Sequence, residues 1–125
     1  MQTLDEQLQN LNLYLRKLKR VISTEASFSF GNTKIVSKAR VDDVLCCIQA
    51  SYPHDFKDYV KRNGNKSLES HLCFQQLLNV VTKKFFLSSN QYSVDYIYFE
   101  KLLNTFIQTI QKELPKVLDD NSFKL

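Results

Sequence analysis

Leucine and isoleucine recur near the start of the chain at alternating steps of four and three: Leu4, Leu8, Leu11, Leu15, Leu18 and Ile22. This a/d heptad stripe predicts an amphipathic helix. Thr3 and Glu6 have the capping-box spacing, so the Thr3 hydroxyl can accept from the Glu6 N–H. Asp5 and Glu6 fall in the first turn, and Arg16, Lys17, Lys19 and Arg20 lie toward the end, a polarity that suits the helix dipole. Leu13 and Tyr14 lie off the stripe and widen it. A wider apolar face fits a helix bundle better than an isolated two-stranded coil.

The helical period breaks at SFSFGNTKIV, residues 27–36, where apolar and polar residues alternate on both sides of Gly31-Asn32. A two-residue turn there pairs Phe30 with Thr33 and Phe28 with Ile35. Glycine in the first turn position suits type II′. Phe28, Phe30 and Ile35 then share one face, with Ser27, Ser29 and Lys34 on the other. A lone ribbon is marginal in water, so its aromatic face is expected to lie on the helices. The other reading is an extended connector anchored by the two phenylalanines.

Helical spacing resumes at Ser37, a candidate cap for a helix with Val41, Val44, Leu45 and Ile48 on one face. Pro53 divides it from a second segment bearing Phe56, Tyr59 and Val60. Gly64 is placed to end that segment with a left-handed cap. From Ser67 a long helix is expected through Phe86, with Leu68, Leu72, Leu78, Val81 and Phe85 inward; its broad apolar content marks it as the central helix. LSSNQYS, residues 87–93, reads as a polar break. Ser93 is a candidate cap for a last helix bearing Val94, Ile97, Tyr98, Leu102, Phe106, Ile110 and Leu114. Pro115 ends or kinks it, although Val117 and Leu118 continue its stripe. Residues 119–125 read as a frayed tail.

The pattern therefore predicts an all-α fold: one domain over 1–125, an antiparallel bundle of four to five helices, with a short β-hairpin or extended arm at about 27–36 after the first helix. Composition agrees in one respect. Two glycines and two prolines in 125 residues leave little material for long loops or for a phosphate-cradling loop.

Candidate chemistry is sparse. Cys46, Cys47, Cys73 and His71 include no C-x-x-C, and adjacent helical positions diverge by about 100°. Neither a metal site nor a disulfide is expected, and an odd, low cysteine count suits a reducing compartment. His54 beside Asp55, and the pair Asp42-Asp43, fall near helix starts, where capping explains them. The polar, acidic N-terminus is not a signal peptide, and no apolar run reaches the roughly 20 residues of a bilayer span. The chain is thus expected to be soluble, intracellular and non-catalytic, without cofactor, small-molecule substrate or membrane.

What remains is surface. The first functional expectation is a protein-protein interaction module, an adaptor or assembly subunit that binds a protein partner or self-associates as an oligomer through helix faces and the 27–36 arm. Its candidate interface residues are Leu11, Leu15, Leu18, Phe28, Phe30 and Ile35. A strand edge left open on the arm could receive a strand from a second chain. The alternative uses the net charge of +4. Lys34, Lys38, Arg40, Lys57, Lys61, Arg62, Lys66, Lys83 and Lys84, with Tyr92, Tyr96 and Tyr98 as stacking faces, would serve a basic helical nucleic-acid-binding subunit of a nucleoprotein complex. No helix-turn-helix or RNP signature accompanies them.

Overall fold

A computed structural model of the chain describes residues 3–122. Among them lie α1 (Leu4–Thr24), β1 (Phe28–Phe30), β2 (Thr33–Ser37), α2 (Lys38–Ser51), α3 (His54–Asn63), α4 (Glu69–Val81), β3 (Lys84–Phe85), β4 (Ser88–Asp95) and α5 (Tyr96–Ser122). The protein is mostly helical, but it is not all-α. A four-stranded antiparallel sheet, ordered β1-β2-β4-β3, is built into one side of the helices.

The first hairpin has the register that the alternation predicts, with Phe28 opposite Ile35 and Phe30 opposite Thr33. Gly31 has φ +57 and no non-glycine among the described residues, Asn32 included, takes a positive φ, as a type II′ turn requires. The partner hairpin β3–β4 corrects the expected long helix. Val80, Val81 and Thr82 form a β-branched run, which a helix accommodates poorly. The Thr82 hydroxyl and N–H both bond Leu78 O, at 2.7 and 3.1 Å, and the helix stops there. Residues 88–95 then pair with β2 from Gln91 opposite Ser37 to Asp95 opposite Thr33. Ser93 is therefore a strand residue, and Asp95 caps α5 by accepting from the Tyr98 N–H at 3.2 Å.

Strand alternation gives the sheet two faces. Val36, Tyr92 and Val94 point into the helix-packed core. The Tyr92 hydroxyl donates to Asp42 Oδ1 at 2.7 Å, tying β4 to α2. Thr33, Ile35, Ser93 and Asp95 point the other way, and none of them belongs to the helix-packed core.

The helices follow their stripes in part: α4 buries Cys73, Phe74, Leu77 and Val81 while Leu72, expected inward, is exposed, and Ile97 and Tyr98 at the start of α5 are exposed as well. Leu11, Leu15, Leu18, Val21 and Ile22 of α1 are buried, while Leu13 is 55% exposed and does not widen the face as expected. Thr3 accepts from the Glu6 N–H, and Ser37 from the Arg40 N–H, as their spacing implies. In α2 and α3 the buried apolar positions are those read from periodicity. Gly64 ends α3 with φ +98 and an extended ψ of 160, not a left-handed helical one.

Two caps depart from the local signals. Ser67 does not cap α4; its hydroxyl bonds Gly64 O instead. The free N–H groups of Glu69 and Ser70 donate to Glu113 Oε2 and Oε1 at 2.7 and 3.0 Å. The cap of α4 thus comes from α5. Nor do Arg16, Lys17, Lys19 and Arg20 complement the α1 dipole, because the helix runs to Thr24 and its last turn holds no basic residue.

The central helix is α5, which packs on α4, α3, α1 and β4. It continues through Pro115 to Ser122 and buries Val117. Residues 119–122 of the expected frayed tail are therefore helical; 123–125 lie outside the described residues. Beside α5, the rings of Tyr52, Phe74 and Phe106 form one stack, with centroids 5.1 to 6.2 Å apart.

Candidate interaction surface

The sheet face turned away from the core is where apolar side chains accumulate outside it. Ile35 lies at its middle, fully buried yet outside the helix-packed cluster. Phenylalanines from the two edge strands shield this face. The Phe28 and Phe85 rings meet at 5.7 Å, although β1 and β3 lie at opposite edges of the sheet. The series extends at both ends, with Phe30 on Phe28 at 5.2 Å and Phe86 on Phe85 at 5.3 Å. Each contact is edge-on, an arrangement that places a positive ring edge on a negative ring face.

This aromatic string is only half covered. Phe85 is buried, but Phe28 is 41%, Phe30 59% and Phe86 87% exposed. Leu87, beside Phe86 in the β3–β4 turn, is 69% exposed. Turns are ordinarily built from glycine, asparagine or aspartate, so two large apolar residues at a hairpin tip are not explained by turn geometry. Between the rings lies a groove of about 300 Å³ lined by Phe30, Ile35, Phe85 and Phe86 and flanked by Lys83 and Lys84. Thr33, Lys83 and Ser93 also line a second hollow, which continues to Asp95, Val80 and the half-exposed Tyr98.

The structure divides the candidate residues named above. Leu11, Leu15 and Leu18 are withdrawn from any interface, because they are buried inside the chain's own core. Ile35 is buried beneath the aromatic string. Phe28 and Phe30 remain at the surface, but facing away from the helices, contrary to the expected packing; the helix side of the sheet is taken by Val36, Tyr92 and Val94. Phe86 and Leu87 join Phe28 and Phe30; in the sequence they read as the end of a helix and the start of a polar break, which conceals the hairpin tip.

The basic residues do not share one hollow among the described residues. Lys83 and Lys84 flank the aromatic groove. Lys34 sits over the Tyr96 ring at 6.0 Å. Lys38 lines another hollow with Asp42 and Asn90. Arg40 holds Glu25 through two hydrogen bonds of 3.0 and 3.1 Å, which lowers the Glu25 pKa and raises that of Arg40. Arg62 pairs with Asp120 at 2.9 Å. Lys57 donates to Gln49 O on the α2–α3 side, while Lys61 and Lys66 are exposed on and after α3. Of the tyrosines proposed as stacking faces, Tyr92 is buried, Tyr96 is half-buried against Phe99, and Tyr98 is open.

The other shifted groups have structural causes. Burial pushes the Tyr52 phenol up to about 12, assisted by the Glu113 charge. Burial and the bond to Asp42 do the same for Tyr92, and burial raises the Cys73 thiol. Cys46, Cys47 and Cys73 are all free thiols, and no group of three or more His, Cys, Asp or Glu among the described residues could hold a metal ion. No helix among the described residues is long and apolar enough to cross a membrane. No known family model, curated protein or solved structure matches this chain.

Proposed function

We propose that this protein is a non-catalytic interaction module that docks a protein segment on the open face of its sheet. The observation that carries this reading is the exposed aromatic string from Phe30 to Phe86, with its groove and two flanking lysines. An apolar patch left open on an otherwise packed domain costs solubility and marks a binding surface. Its chemistry selects the partner: one large apolar side chain fits the groove, and acidic neighbours meet Lys83 and Lys84.

The ring angles favour protein over nucleic acid. Bases stack on a flat ring face. Here consecutive rings stand at 85°, 67° and 67° to one another, so they offer notches for side chains, not a row of parallel platforms. Dispersal of the remaining basic residues works in the same direction, since a phosphate backbone is followed by a continuous positive track.

A fluorescent peptide with one phenylalanine between aspartates tests the reading by anisotropy. It should bind the wild-type chain, and Phe30→Ser with Phe86→Ser should weaken it at least about tenfold, equivalent to 1.4 kcal/mol, without loss of melting temperature. Equal binding to both proteins would refute the docking surface. Tight, Phe86-dependent binding of oligo-dT in place of the peptide would transfer the surface to single-stranded nucleic acid.

A further inference from the structure

A further concavity shares no lining residue with the aromatic groove. It opens where α2 ends, between α3 and α4, and measures about 300 Å³. Gln49, Tyr52, Lys57, Val60, His71 and Phe74 line it. That volume is at the lower bound for small-molecule sites, which are typically roughly 300–1,000 Å³.

The lining has two parts. Tyr52, Val60 and Phe74 give an apolar wall, and all three are buried. This wall is stiff, because the Tyr52 and Phe74 rings both pack on Phe106 of α5. Lys57 and His71 supply the basic groups. No carboxylate is among the lining residues. Among the described residues the Lys57 ammonium donates to the neutral carbonyl of Gln49 at 3.2 Å and pairs with no carboxylate, so its charge is not cancelled there and two donor positions stay open. His71 Nε2 meets Gln75 at 3.2 Å, so in the tautomer that accepts there the ring's other nitrogen, Nδ1, carries the N–H.

The geometry points to a binding site for a small carboxylate with an aromatic or branched apolar body, held without being transformed. The body lies on the Tyr52–Phe74 wall. The carboxylate takes the open donors of Lys57, with His71 as a neighbouring polar group. A charge-assisted hydrogen bond contributes more than a neutral one, so the acid should be preferred to an uncharged compound of the same shape. Occupancy would brace the α2–α3 junction against α4.

Calorimetry with 3-phenylpropionate and 3-phenyl-1-propanol as probes tests this on the full chain. The acid should bind at least about tenfold more tightly than the alcohol. Lys57→Gln should abolish that preference while leaving alcohol binding intact, and Val60→Trp, which fills the pocket, should remove both. If the acid does not bind, or binds no better than the alcohol, the site is not an anion pocket. If Lys57→Gln keeps the preference, Lys57 does not provide it, and the proposal falls even where Val60→Trp fails to fold. Because Phe30 and Phe86 lie elsewhere, their serine variants should bind the acid as wild type does; a loss in those variants would assign the binding to the sheet face and overturn the pocket.

Discussion

Tyr52 shows how one side chain can link packing to pH. Its ring joins the stack with Phe74 and Phe106, while its hydroxyl is buried beside Ser70 without completing a hydrogen bond of good geometry. Ionising that phenol inside the fold is costly, so its pKa rises from 10 to about 12. The folded state therefore binds the proton more tightly than the unfolded chain does. The resulting stability is complete below pH 10 and is lost as pH climbs from 10 to 12, by roughly 3 kcal/mol for a two-unit shift. Urea midpoints measured from pH 8 to pH 12 should fall above pH 10. Tyr52→Phe should flatten the fall, and an unchanged slope in that variant would assign it to other groups, among them Tyr92.

At the scale of elements, Glu113 and α4 illustrate what a local reading cannot reach. The cap of α4 is a carboxylate 43 and 44 residues away, supplied by the neighbouring helix. Glu113→Ala removes both bonds and should lower stability by about 0.5–2 kcal/mol, the usual range for a lost cap. Amide exchange at Glu69 and Ser70 should quicken first, and unchanged exchange there would mean that water serves the two N–H groups equally well. Two caps within one turn were legible, Thr3 with Glu6 and Ser37 with Arg40; the third, Asp95 with Tyr98, was not, because the strand that carries Ser93 was not. The register of β1–β2 was legible too, because Gly31 marks the turn and alternation marks the faces. The face that Phe28 and Phe30 present was not, since alternation separates two faces without saying which one meets the helices. β3–β4 was obscured by Phe85, Phe86 and Leu87, whose apolar run extends a helical stripe. The available signal was the period-two sequence from Gln91 to Asp95, in which Tyr92 and Val94 alone turn inward. Half of the candidate surface, at Phe28 and Phe30, could thus be found from sequence. The other half, at Phe86 and Leu87, depended on recognising a hairpin whose turn lacks the usual residues.

For the molecule as a whole, α5 acts as a spine, and its last turns hold α3. Val117 is buried, Lys116 lies over the Tyr59 ring at 5.7 Å, and Asp120 pairs with Arg62. Ending the chain after Leu114 should loosen α3 while leaving the sheet in place. Hydrogen exchange should then rise across His54–Asn63 and stay constant across Thr33–Ser37; equal loss in both would show that the two regions unfold as one unit.

The sheet order has a consequence for how the chain reaches this structure. Each hairpin is local, but β2 and β4 join only across the whole of α2, α3 and α4, with Ile35 opposite Ser93. During synthesis the N-terminal hairpin must wait, its two phenylalanines bare, until the ribosome has released residue 95. Pairing over such a distance raises contact order, so folding should be slower than the helix content implies. The aromatic string that seals Ile35 then belongs among the latest contacts to form. The surface proposed above to dock a protein segment is therefore bare early in the life of the chain, and a chaperone present during translation would find it open before the fold is complete.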